Sequence, residues 1–418
     1  MSVPIEVGAR VSQHRLNRGF NFGFPPRANR PRAWSEKQID FLHEHSVVTD
    51  LAPDPSRSPK SLETLRGEID AVDAELVGLL AKRGNLVVEV GVAKRSGVAP
   101  IYVPSRERAV IERAVSRSHA ASSPLADRTI EAVFREIMSG SFALERPLRV
   151  GCLGPTGSFS HLAVVRHFGS SIEIACVPTI PDVVIEVAAG RCDHGLVPYE
   201  NSSMGSILET LDALLAHPVS IRAEALVAVR LALLSNAAPD AIRRIYSKPQ
   251  AFGQCRKWCA RVLPNAELVP ESSTSAAVVR ANEEEGSAAI ASSFAGELHG
   301  VPVLFDGIED RAGNTTRFLV IGRESVAPTG NDKTTLWFTL ADRAGALVDV
   351  LDSFRQEGIN LSHIEKRPSG DAHWDYLFFI DALAHEKDAA MQRALVQART
   401  HCTRLEVLGS YPRAERVL

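Results

Sequence analysis

Apolar residues at Leu62, Leu65, Ile69, Val72, Leu76 and Leu79 recur at alternating steps of three and four, and the series resumes at Leu86, Val90 and Ala93. That spacing predicts one long helix whose apolar seam packs against another helix. The seam position due after Leu79 is occupied by Arg83. A second helix is predicted to begin at Pro104, a favoured first-turn residue, and carries Arg106, Glu107 and Arg108 in its opening turns. A third, from about Pro124 to Glu145, has an apolar face at Ile130, Val133, Phe134 and Ile137. The same face continues at i+4 steps to Ser141 and Glu145, so polar side chains sit where core is expected. Residues 59–146 therefore read as all-helical.

From Arg149 onward short apolar runs alternate with helical segments, which is α/β character. LRVGCLGPTGSFS (148–160) reads as a strand, a Gly-Pro turn and a helix start carrying Ser158. HGLVPYENSSMGSI (194–207) places Glu200, Asn201 and Ser202 at the end of an apolar strand. YSKPQAFGQC (246–255) and ESSTSAA (271–277) repeat that layout with Gln250, Ser273 and Thr274. The pattern predicts two α/β lobes over residues 148–325, closing on a small anionic ligand. Taken singly, each polar cluster is as well explained by turns and helix caps. A polar stretch at 327–332 reads as a linker. Residues 333–411 follow the order β-α-β-β-α-β, a ferredoxin-like α+β arrangement. Residues 1–58 lack a period and read as a disordered extension, with one short helix expected around Glu36–His45.

At 418 residues the chain is too long for a single core, so several domains are expected. A formal net charge of −3 gives no electrostatic reason to expect nucleic acid or a membrane surface as partner. No run of about 18 apolar residues suggests a membrane helix. The six cysteines form no CxxC pair and stand at no zinc-ligand spacing, so no metal is expected, and reduced thiols in a cytoplasmic protein are.

A cation on an apolar seam is costly unless an anion meets it, whether that anion belongs to a structural ion pair or to a ligand. Arg66 precedes Arg83 by 17 residues, so on one helix the two lie about 25 Å apart and cannot grip one small molecule. Two antiparallel copies of the helix could bring them together. Lys94 returns to nearly the face of Arg83 about three turns later.

LRGEIDAVDAELVGLLAKR, VGVAK, PSRER and FREIMSGSFALE together resemble the all-helical chorismate mutase domain over about 90 residues. The resemblance implies three helices interlocked with those of a second protomer, in a homodimer or a tetramer. It further implies that Arg66 of one copy and Arg83 of the other bind the carboxylates of chorismate. Lys94 would donate to the ether oxygen of the breaking bond. Arg106 and Glu107 would lie on the substrate, with Glu107 holding its hydroxyl, and Ser141 would assist a carboxylate. Glu145 stands where some relatives have Gln and would help only when protonated. Val103 replaces a frequently acidic position. The rearrangement to prephenate needs no cofactor, only an enforced geometry and donors at the oxygen that gains charge.

GPTGSFS, PYENSSMGSI, SKPQAFGQC, STSAA and AAIASSFAGELHGVPVLFDGIEDRAGNTTRF, in that order, resemble prephenate dehydratase over about 175 residues, whose α/β lobes are periplasmic-binding-protein-like. By the match to its TRF motif, Thr316 is the catalytic hydroxyl that protonates the departing hydroxyl of prephenate. Arg317 either binds a substrate carboxylate or anchors the loop. Glu200, Asn201, Ser202 and Gln250 would line the cleft, with Ser158, Ser273 and Thr274 beside them. Lys248 stands where relatives usually have His.

Gly345, Ala346, Leu347 and Val348, then Asn360 and Leu361, then Glu365, Arg367 and Pro368, resemble the GALV and ESRP regions of the ACT domain. That similarity implies L-phenylalanine as allosteric effector. Lys366 replaces the usual Ser, and strand alternation would point it at solvent. Two rival readings are a sensor without turnover, and a dehydratase whose helical segment is only a dimerisation module.

Overall fold

The computed structural model describes residues 60–95, 101–368 and 376–418. The expected extension at 1–58 and its short helix lie outside the described residues. The chain divides into two units, one ending at Ala71 and one running from Val72 to Leu418. In the first, helix α1 (Leu62–Arg95) begins where the Ser61 hydroxyl accepts the Thr64 N–H at 3.1 Å, and Lys60 pairs with Glu68 at 2.5 Å.

In the second unit α1 continues, followed by α2 (Pro104–Ala120) and α3 (Asp127–Glu145). α3 starts at Asp127 rather than near Pro124. The Ser123 hydroxyl accepts the Leu125 N–H at 3.2 Å and holds that stretch as a turn. Gly91 lets α1 approach α3 closely, since a Cβ there would stand 3.3 Å from the Glu145 Cα. The predicted long helix forms, but the predicted packing of its seam against another helix is not seen at Leu76 and Leu79, which are 52% and 64% exposed. Tyr102 and Phe142 are buried in one core with Leu148, Val150 and Phe168, which joins the helical segment to the sheet that follows.

That sheet holds β1 (Arg149–Leu153), β2 (Glu173–Val177), β3 (His194–Asn201), β4 (Gly205–Ser206) and β5 (Ser220–Ala228), with helices α4 (Phe159–Phe168), α5 (Ile180–Ala188) and α6 (Leu208–Ala216) between its strands. The chain then leaves to build a second sheet from β6 (Ala232–Leu234), β7 (Arg244–Ser247), β8 (Glu267–Pro270), β9 (Ser287–Ala291) and β10 (Val303–Phe305). Its helices are α7 (Pro249–Gln254), α8 (Arg256–Val262), α9 (Thr274–Glu283) and α10 (Ser293–His299). Strand β11 (Thr315–Gly322) returns to the first sheet, giving the orders β2-β1-β3-β11-β5 and β10-β6-β9-β7-β8. One excursion and one return make the expected two lobes.

The last sheet comprises β12 (Asp332–Thr339), β13 (Leu361–Pro368), β14 (Tyr376–Ala382) and β15 (Arg404–Pro412), with α11 (Ala346–Gln356) and α12 (Ala389–His401). Its order, β13-β14-β12-β15, all antiparallel, is the ferredoxin-like arrangement read from the sequence. One face packs under the two helices through Leu336, Phe338, Val350, Phe354 and Ile380. The other buries Trp337, Leu377, Phe379 and Tyr411 against the first lobe. Gly409 is required at that junction: its φ is +156°, and a Cβ would run into the Ile221 backbone.

Candidate functional site

In the helical segment the structure brings together two pairs across α1 and α3. Arg83 Nη1 donates to the Ser141 Oγ at 2.5 Å, and that hydroxyl donates to the Ile137 carbonyl at 2.7 Å. Burial lowers the Arg83 pKa. Lys94 Nζ donates to Glu145 Oε2 at 2.7 Å. The polar end of the α3 face thus meets the cations of α1. Arg66 lies in the first unit with its side chain exposed, and Arg106 is exposed on α2. Glu107 faces a cavity of about 420 Å³ lined by Tyr102, Arg108, Arg135 and His167, among others; neither Arg83 nor Lys94 lines it. Its Oε1 is sealed from solvent without a partner, and burial raises its pKa to about 8 although Arg135 pulls the other way.

The second cluster sits where β11 re-enters the first sheet. Thr316 is the antiparallel partner of Asn201, and Arg317 that of Glu200. Asn201 Nδ2 donates to Thr316 Oγ1 and to Asn314 Oδ1, both at 2.9 Å. Asn314 Nδ2 in turn donates to Gln254 Oε1 of α7 at 3.2 Å, which ties the cluster to the second lobe. Ser202 Oγ donates to Asn314 Oδ1 at 3.4 Å and accepts the Thr315 N–H at 3.0 Å. A hydroxyl has one proton and two acceptor sites. With Asn201 donating to Thr316, the threonine proton is directed away from that amide.

Alternation along the strands sends Arg317 and Glu200 to the opposite face, and this corrects both cleft assignments. Arg317 donates to Glu224, Asp381 and Tyr411, and Glu200 lies 3.6 Å from Arg317 and 3.8 Å from the His363 ring. Of the two roles left open for Arg317, anchoring is the one it fills. Ser158 and Ser273 are helix caps: their hydroxyls accept the N–H of His161 at 3.2 Å and of Ala276 at 3.0 Å, and Ser158 also donates to the Leu153 carbonyl. Thr274 is half-buried at the start of α9, and Gln250 and Lys248 are exposed at the start of α7. Sequence reasoning missed Gln254, and it missed Ser275, whose hydroxyl donates across the lobes to the Thr156 carbonyl at 2.5 Å. Both lay inside motifs already singled out, one helical turn or less from Gln250 and Thr274.

In the last domain Gly345 takes φ +82° just before α11, with Ala346 buried, Leu347 half-buried and Val348 66% exposed. The exposed Asn360 gives its carbonyl to the Leu383 N–H at 2.8 Å, and Leu361 opens β13. Alternate residues of β13 turn toward the first lobe. Glu365 accepts from Ser206 Oγ at 2.6 Å, and Arg367 donates to the Leu208 carbonyl at 2.7 Å and pairs with Asp212 at 2.9 Å. Those two residues, read as effector ligands, therefore clasp the first lobe, while Pro368 is exposed. Lys366 is exposed as expected and lies 3.3 Å over the Tyr376 ring.

A helical module with cations set on its seam, joined to a two-lobed α/β module with a threonine–amide cluster and a ferredoxin-like sheet, defines a multidomain enzyme. The sequence pattern of the prephenate dehydratase family matches residues 150–326, and that of chorismate mutase type II matches residues 65–146. The bifunctional chorismate mutase/prephenate dehydratase of Stutzerimonas stutzeri is 40% identical over 360 residues, covering 84% of this chain and 98% of that one. Its counterpart from Aquifex aeolicus is 37% identical, covering 85% and 99%. The prephenate dehydratase of Arthrobacter aurescens in complex with L-Phe superposes with a TM-score of 0.60 at 34% identity, over 64% of this chain and 91% of that one. The chain belongs to the bifunctional chorismate mutase/prephenate dehydratase family.

Proposed function

We propose that the chain converts chorismate to prephenate in its helical part, and prephenate to phenylpyruvate in its two-lobed part, under inhibition by L-phenylalanine. The domains run over residues 59–146, 148–325 and 333–411. The observation that carries the dehydratase reading is the Asn201–Thr316 hydrogen bond beside Asn314. Loss of the ring carboxylate as carbon dioxide pushes its electron pair into the ring and expels the C4 hydroxyl as water. A hydroxyl proton aimed into the cleft assists that departure, and aromatisation drives the step.

For the mutase, Arg83 and Lys94 supply the cations that hold chorismate folded and meet charge developing on its ether oxygen. The exposed seam of α1 supports a homodimer in which a second copy of α1 covers it and contributes its own Arg66. Effector binding rests on the ferredoxin-like sheet and on the L-Phe complex of the Arthrobacter aurescens relative. The six free cysteines suit the reducing cytoplasm. Among the described residues, no helix is long and apolar enough to cross a membrane.

Purified protein given chorismate alone should form phenylpyruvate, and added phenylalanine should suppress it. Accumulation of prephenate would overturn the dehydratase reading. Untouched chorismate with consumption of supplied prephenate would reduce the helices to a scaffold.

A further inference from the structure

Arg317 follows Thr316 directly and is sent by strand alternation out of the cleft, into the junction with the ferredoxin-like sheet. Groups from four other strands enclose it there. Its Nε donates to Glu224 Oε2 of β5 at 2.7 Å, its Nη1 to Asp381 Oδ2 of β14 at 2.6 Å, and its Nη2 to the Tyr411 hydroxyl of β15 at 2.8 Å. The guanidinium also lies 4.8 Å from the centre of the Tyr199 ring. Lys333 of β12 donates to the same Glu224 oxygen at 2.9 Å, and Thr335 donates to Asp381 Oδ1 at 2.5 Å. Arg317, Lys333, Glu224 and Asp381 are all buried, two cations against two anions.

Such a cluster adds little net stability over apolar packing of the same volume. What it adds is direction: three hydrogen bonds from one planar guanidinium fix its position and its plane. The backbone it fixes is that of β11 beside Thr316. Glu224 belongs to the same sheet as Thr316 and is shared with Lys333. Asp381 is fully buried, comes from a different domain, and accepts from Arg317 Nη1 at 2.6 Å, while Glu200 stands 3.6 Å from that nitrogen.

We propose that Asp381, a residue of the C-terminal domain, is a positioning residue of the dehydratase site: by holding Arg317 it sets β11 so that the Thr316 hydroxyl meets Asn201. This inference rests on the reading of Thr316 given above. A displacement of about 1 Å at a reacting group costs on the order of a hundredfold in rate, so loosening this anchor acts on turnover. Substrate binding draws on other groups and changes less.

The test uses the full-length chain with chorismate and prephenate as separate substrates. Asp381→Asn keeps the size of the side chain and removes its charge. It should lower the dehydratase kcat about tenfold or more, with KM within about twofold of the parent. The mutase rate should stay parental, because no member of the cluster lies on α1, α2 or α3. Thr316→Ala combined with Asp381→Asn should be no slower than Thr316→Ala alone, since the anchor has nothing left to position. Asp381→Asn with parental mutase and a dehydratase kcat within about twofold of the parent overturns the proposal, as does a change confined to KM. If that variant loses both activities by unfolding, Tyr411→Phe decides, because it removes one bond to Arg317 without a charge. A smaller fall in dehydratase kcat there supports the anchor, and a parental kcat overturns it. An active Thr316→Ala would instead sink the reading of Thr316, whatever Asp381→Asn does.

Discussion

Asn201 and Thr316 face each other across β3 and β11, with the amide nitrogen 2.9 Å from the threonine oxygen. Under the proposed dehydratase reading, the direction of that bond leaves the threonine proton for the substrate. Asn201→Asp would replace the amide by a group that only accepts, so Thr316 would turn its proton toward the carboxylate. Dehydratase kcat is expected to fall about a hundredfold, with the mutase unaffected. Steady-state rates on prephenate measure it, and an unchanged kcat would mean that the bond does not orient the hydroxyl.

Glu107 gives the helical segment a pH-dependent stability. Burial raises its pKa from 4.5 to about 8. Below the lower value both folded and unfolded chains hold the proton. Between the two the unfolded chain releases it and the folded chain keeps it, so stability falls as pH rises through that window and levels off above about 8. Glu107→Gln carries the neutral form at every pH. Its melting midpoint should therefore drop less than the parent's between about pH 6 and 8.5, and parallel curves would contradict the burial.

Glu145 engages Lys94 at 2.7 Å, and under the proposed mutase reading its carboxylate stands beside the ammonium that meets the ether oxygen. An amide there would donate instead of repelling and would release the ammonium for the ether oxygen. Glu145→Gln is expected to raise mutase kcat about three- to tenfold at neutral pH and to leave the dehydratase alone. A chorismate assay that shows a slower variant would assign Glu145 a different part.

The uncovered seam of α1 predicts its own disruption. Leu76→Glu places a charge on a face that a second copy should cover. Sedimentation should show the parent as a dimer and the variant as a monomer. Mutase activity should fall by about tenfold or more, since each site would lose the second copy's Arg66, while the dehydratase persists. A variant that stays dimeric would place the interface elsewhere.

Much of this architecture was legible along the chain because it is local. The three-four series from Leu62 to Leu79 set α1, and Pro104 set the start of α2. The alternation of strands and polar turns gave two lobes, and the order of elements after Asp332 gave the ferredoxin-like sheet. Arg83 and Lys94 stood out because charge on an apolar seam demands a partner, and α3 supplies Ser141 and Glu145.

Side-chain direction at the second site was a different matter. Glu200, Asn201, Thr316 and Arg317 stand together in their motifs, and the motif alone does not say which two face the cleft. That depends on the pairing of β3 with β11, two strands separated by the whole second lobe, and a shift of one residue would exchange the faces. The same holds for Glu365 and Arg367, whose partners Ser206 and Asp212 lie more than a hundred residues away. Local periodicity determined which elements form; only the long-range register, fixed by burying one face of each strand, decided which polar groups gather around Thr316 and which lock the domains together.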